Sequence, residues 1–72
     1  MYLLSLAMTL QGLNQSPFYS VIYGKAKAQL AHEWSSRGYS DLDDMVDAMG
    51  TANVLNLIRT ILATIMLTYP NA

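Results

Sequence analysis

Seventy-two residues make at most one domain, and a chain that short buries only about 60% of the surface its unfolded form exposes, so it ordinarily needs a disulfide, a metal or a partner. Cysteine is absent, which excludes disulfides and thiolate metal sites and leaves the redox compartment open. Hydrophobic residues make up 53% and charged residues 12%, against roughly one quarter charged in ordinary soluble domains, and a formal net charge of −1 excludes a uniformly basic nucleic-acid binder.

The first helical stretch is expected over residues 2–12, within an apolar opening, MYLLSLAMTL, that has no basic n-region and no Ala-x-Ala site after it and is therefore not read as a secretory signal. Gly12, Asn14, Gln15, Ser16 and Pro17 interrupt it. Asn14-Gln15-Ser16 matches the glycosylation sequon, a three-residue pattern that the following Pro17 disfavours. A second helix is predicted over 17–35, with Pro17 in its first turn and Ser16 as its cap; one kinked helix through both stretches is the alternative. On it Tyr19, Ile22, Tyr23, Ala26, Leu30 and Trp34 share a face, while Ser20, Gly24, Ala28 and Ala31 form a line of small residues suited to close approach by another helix.

A turn follows at 36–40, where Gly38 is placed to end the preceding helix. Residues 41–69 read as one continuous helix, about 43 Å long at 1.5 Å per residue. Ser40 is its expected N-cap and Asp43 the capping-box partner; Asp41 and Asp44 suit the helix dipole, and Tyr69-Pro70 is the stop. Val54, Leu57, Ile58, Ile61, Leu62, Ile65 and Met66 form a broad apolar face, and Asn53, Asn56, Thr60, Thr64 and Thr68 a stripe of small polar groups. The expected fold is all-α: one domain over 1–72, an antiparallel helical hairpin with an interrupted N-terminal half, polymerising into a helical assembly. Pairing about Gly38 sets Lys25 and Lys27 beside Thr51 and Met49, and Arg59 beside Pro17.

Charge is sorted along this hairpin. All nine charged side chains lie between Lys25 and Arg59, leaving 24 uncharged residues before them and 13 after. Glu33, Arg37, Asp41, Asp43, Asp44 and Asp47 gather around the turn; Lys25 and Lys27 flank them on one side and Arg59 on the other. The result is a rod with an acidic tip, a thinly basic waist and an apolar tail. Contiguous apolar surface marks interaction sites, so lipid or many identical copies are expected to cover that tail.

Specific chemistries fare poorly. His32 is the only histidine, and catalysis with Glu33 or a serine needs a pocket that a helical hairpin hardly supplies. Asp41, Asp43, Asp44 and Asp47 invite calcium, yet the loop template requires glycine where Val46 stands and glutamate where Ala52 stands. Tyr2, Tyr19, Tyr23, Tyr39 and Tyr69 lack the dense basic groove of single-strand binders and suit packing between subunits. No enzyme activity and no cofactor are expected. Lys25 and Lys27, two apart on a helix, point in different directions; set among apolar neighbours, they and Arg59 need a counterion, which phosphate or lipid headgroups supply. A span over Thr51–Tyr69 is long enough for a bilayer, but Arg59 near its centre costs about 2.5–3.5 kcal/mol.

Short, cysteine-free and mostly apolar, with an interrupted first half (MYLLSLAMTLQGLNQSPFYSVIYGKAKAQLAHEW), a Ser-Ser-Arg-Gly turn and a long second helix (SDLDDMVDAMGTANVLNLIRTILATIMLTYP), the chain resembles the major coat protein of the clavaviruses, rod-shaped viruses of hyperthermophilic archaea. The likeness spans the whole chain and rests on size, architecture and charge layout. It implies a virion subunit: α-helical hairpins packed through extended apolar interfaces into a helical capsid around double-stranded DNA. DNA-phosphate contacts then fall to Lys25, Lys27 and Arg59, and subunit packing to Ser20, Gly24, Ala28, Leu57, Ile61 and Ile65. The rival readings are a conjugative or secretion-type pilin, located in the cell membrane or an extracellular pilus with lipid as a partner, and a small integral membrane hairpin.

Overall fold

Gly50 governs the architecture. Its backbone (φ 91°, ψ 147°) lies in a region open essentially to glycine alone, and it divides the expected 41–69 helix into two. The computed structural model describes residues 2–69, except the side chain of Tyr2. These form helices α1 (Tyr2–Leu10), α2 (Tyr19–Ser36), α3 (Leu42–Met49) and α4 (Thr51–Met66), with a 3₁₀ turn at Leu13–Gln15 and no strand among the described residues.

The break has a physical reason in the pattern of apolar side chains. Leu42 and Met45 are buried on α3, and Val54, Ile58, Ile61 and Leu62 on α4. At 3.6 residues per turn, a straight helix would set Leu42 about 160° around the axis from Ile58, so the two apolar faces would look in opposite directions. Bending at Gly50 turns both toward one core. The single 43 Å helix is therefore corrected to two shorter helices. The C-terminal bound also moves: α4 ends at Met66, and Pro70, its expected stop, lies outside the described residues.

The N-cap shifts by one residue. Asp41, not Ser40, caps α3: its carboxylate accepts the Asp44 N–H at 2.8 Å. Asp44, not Asp43, takes the reciprocal part, its carboxylate accepting the Ser40 N–H at 3.3 Å and the Ser40 hydroxyl. These two donors, the hydroxyl first, hold the Asp44 carboxyl below its ordinary pKa.

At the other boundaries the departures are small. Pro17 lies in a turn before α2 instead of inside it, and the buried Ser16 hydroxyl accepts the Phe18 N–H at 3.1 Å while the Ser16 carbonyl accepts the Tyr19 N–H. The end of α2 follows expectation: Gly38 takes φ 86°, its N–H donates to the Ser35 carbonyl, and the Tyr39 N–H donates to the Trp34 carbonyl at 2.8 Å, the double closure of a Schellman motif.

α1 does not hang free as an apolar tail. It packs on α2 and α4, and its Leu3, Leu4, Ala7 and Met8 join a core to which all four helices contribute. A Cα radius of gyration of 11.8 Å is close to the roughly 11 Å of a collapsed chain of this length. The expectation that the N-terminal stretch needs a second molecule to stay dry is thus corrected; its apolar face is satisfied within the chain.

Candidate functional site

The start of α2 lies against the end of α4. The Phe18 and Tyr69 rings are 5.7 Å apart, centre to centre, and the Lys25 ammonium sits 5.7 Å from the Tyr69 ring centroid, within cation–π range. This register differs from pairing about Gly38, which put Lys25 beside Thr51 and Arg59 beside Pro17. Residues 39–50 are spent on the turn and α3, so α4 starts afresh at the level of Trp34 and descends from there.

Between α2 and α4 runs an open groove of about 820 Å³ lined by residues of these two helices alone. Lys25, Ala28, His32 and Glu33 of α2 face Leu57, Thr60, Ile61 and Ile65 of α4 across it. It thereby unites Ala28, Leu57, Ile61 and Ile65 of the expected packing set with Lys25 of the expected phosphate set. The rest of both sets lies elsewhere. Ser20 and Gly24 are on the exposed outer face of α2, where a Cβ built on Gly24 meets nothing within 4 Å. Lys27 and Arg59 are exposed and do not line the groove.

Among the described residues the one ion pair is Arg37–Glu33, 3.3 Å apart and one turn apart on the helix. The polar stripe on α4 is turned inward chemically: the Thr60 hydroxyl donates to the Asn56 carbonyl, Thr64 to the Thr60 carbonyl and the Asn53 amide to the Met49 carbonyl. With their hydroxyls occupied, the threonines offer mostly methyl groups outward.

Two further features escaped sequence reasoning. One is an open pocket of about 600 Å³ where α1 begins and α2 meets α3, floored by Leu3, Trp34, Leu42 and Val46 and rimmed by Asp41, Asp43 and Thr51. The other is the opposite end of the molecule, where Leu10 (57% exposed), Phe18 (39%), Val21 (45%) and Leu67 (87%) remain uncovered. The first depends on the bend at Gly50, which a periodicity count taken over residues 41–69 as one stretch averages away; the second depends on which apolar residues the core leaves over.

No described group of three or more His, Asp or Glu side chains is arranged to hold a metal ion, and no described helix is long and apolar enough to cross a membrane. No family model matches the chain, and comparison with curated proteins and with solved structures likewise returns no match.

Proposed function

We propose that this chain is a self-associating structural subunit without catalytic activity, and specifically the major coat protein of a rod-shaped or filamentous virus that encloses double-stranded DNA. The observation that carries the reading is the surface left over once the core has closed. Leu10, Phe18, Val21 and Leu67 stay exposed at one end, and the outer face of α2 presents Ser20 and Gly24, with open space where a side chain on Gly24 would stand. A chain with a sufficient core of its own gains nothing from such a surface as a monomer; repeated contacts between copies give it a use. Lys25, Lys27 and Arg59, with no carboxylate partner among the described residues, then serve as counterions to phosphate, contacts that position DNA without reading its sequence.

Electron microscopy of the purified protein, with and without duplex DNA, tests the reading together with nuclease protection. Regular rods that shield DNA are expected, and Lys25→Gln/Lys27→Gln should lower the DNA content while the subunit stays folded. Monomers at all concentrations would overturn the reading, and rods that exclude DNA and retain phospholipid would replace the coat role with that of a pilin.

A further inference from the structure

The two ends of the molecule are complementary to each other. At one end Leu3, Trp34, Leu42 and Val46 floor a pocket whose rim carries Asp41 and Asp43. At the other, the tilted Phe18 and Tyr69 rings meet with the Lys25 ammonium 5.7 Å from the Tyr69 centre, and the exposed Val21 and Leu67 lie within four residues of them along the chain, so an ammonium group accompanies an apolar surface. One end therefore offers an apolar hollow with negative charge around it, and the other an apolar projection with positive charge beside it. The molecule measures 35 Å along its long axis and 19 and 16 Å across, so a single copy cannot bring its own two ends together.

We propose that the occupant of the pocket is the apolar end of a second copy of this chain, a head-to-tail contact in which Val21 and Leu67 of one subunit cover Trp34 and Leu42 of the next, Lys25 lying at the edge of the contact where the acidic rim attracts it through solvent and phosphate still reaches it. The inference rests on the self-association reading and gives that reading its axial contact. Charge selects this pairing over its rivals. Two acidic heads placed together repel, two tails placed together oppose their Lys25 groups, and only the mixed contact satisfies both signs. An interface between two different patches does not close on itself as a two-fold dimer does; it propagates, giving an open chain or a ring. Subunits so joined all point the same way along the chain.

Two variants at exposed positions test it, each blocking one end. Val21→Gln/Leu67→Gln removes the apolar projection from the tail without adding charge, and Asp43→Lys/Thr51→Lys reverses the charge at the head; circular dichroism establishes that each is folded. In sedimentation velocity the wild type should form long chains, while each variant alone should associate at least about tenfold more weakly, a change of about 1.4 kcal/mol. An equimolar mixture should yield dimers and nothing larger, because the intact tail of the head variant fits the intact head of the tail variant and both remaining ends are blocked. Folded variants that each assemble as the wild type does, or a mixture that stays monomeric, would overturn the head-to-tail contact while leaving self-association through other faces standing. A wild type that is monomeric throughout would remove both.

Discussion

The Lys25 ammonium lies 5.7 Å from the centre of the Tyr69 ring, tying the second turn of α2 to the segment just past α4. The contact joins the two longest helices at the register they adopt and places a positive charge next to the most exposed apolar end of the molecule. A cation over an aromatic face at an accessible site contributes about 0.5–1 kcal/mol. Tyr69→Leu and Lys25→Gln should therefore each lower stability by roughly that amount, and the double variant should cost less than their sum. Urea unfolding of the four proteins measures the coupling, and strict additivity would show that the two groups do not interact.

Gly50→Ala should destabilise the folded chain by about 1–3 kcal/mol, since a Cβ is strained at φ 91° even though open space surrounds it. For a domain of this size that corresponds to a fall in Tm of several degrees. Alanine also favours a continuous helix through this position, so helical signal retained while the cooperative transition weakens would mark the chain straightening out. A variant as stable as the wild type would show that the bend is not required.

How much of this was legible in the sequence depended on whether the deciding interaction was local. The end of α2 at Gly38 was readable, because one glycine and the residues beside it make the whole motif. The sequence places the cap of α3 one residue early, since Ser40 and Asp41 are both good caps and their order alone does not choose between them. The bend at Gly50 did leave a trace: the apolar positions change phase between Met49 and Val54, which a count over the whole stretch averages away. The end-of-molecule surfaces were not readable at all. Phe18 and Tyr69 meet only after the register between α2 and α4 has been set by that bend.

α1 should prove integral to the fold. Leu4 is fully buried beneath it while Leu10 on the same helix is 57% exposed. Leu4→Ala should cost about 2–5 kcal/mol, enough to unfold much of a domain this small, whereas Leu10→Ala should stay within about 0.5 kcal/mol. Equal effects in denaturant titrations would mean that α1 does not pack as described.

Acid should weaken the α3 cap. With its pKa held below the ordinary 3.8 by the two Ser40 donors, the Asp44 carboxylate binds its proton less readily in the folded chain than in the unfolded one. It therefore contributes stability at pH values above 3.8, and that contribution is lost as the pH falls through the lowered pKa. Ser40→Ala removes the hydroxyl donor, so its deficit in Tm should be constant from neutrality down to about pH 5 and shrink on further acidification. A deficit independent of pH would mean that the hydroxyl does not act on the charged form.

Gly24→Leu separates folding from the proposed assembly. A side chain at this position meets nothing within 4 Å in the single molecule, and leucine is the better helix former by up to about 1 kcal/mol, so the subunit should fold at least as well as before. If the outer face of α2 receives a neighbouring helix, closely enough to need Ser20 and Gly24, the added isobutyl group holds the two backbones apart and assembly should be lost. Thermal unfolding reports the first effect and light scattering the second. Rods formed normally by a stable Gly24→Leu protein would show that this face looks onto solvent and that copies meet through other surfaces.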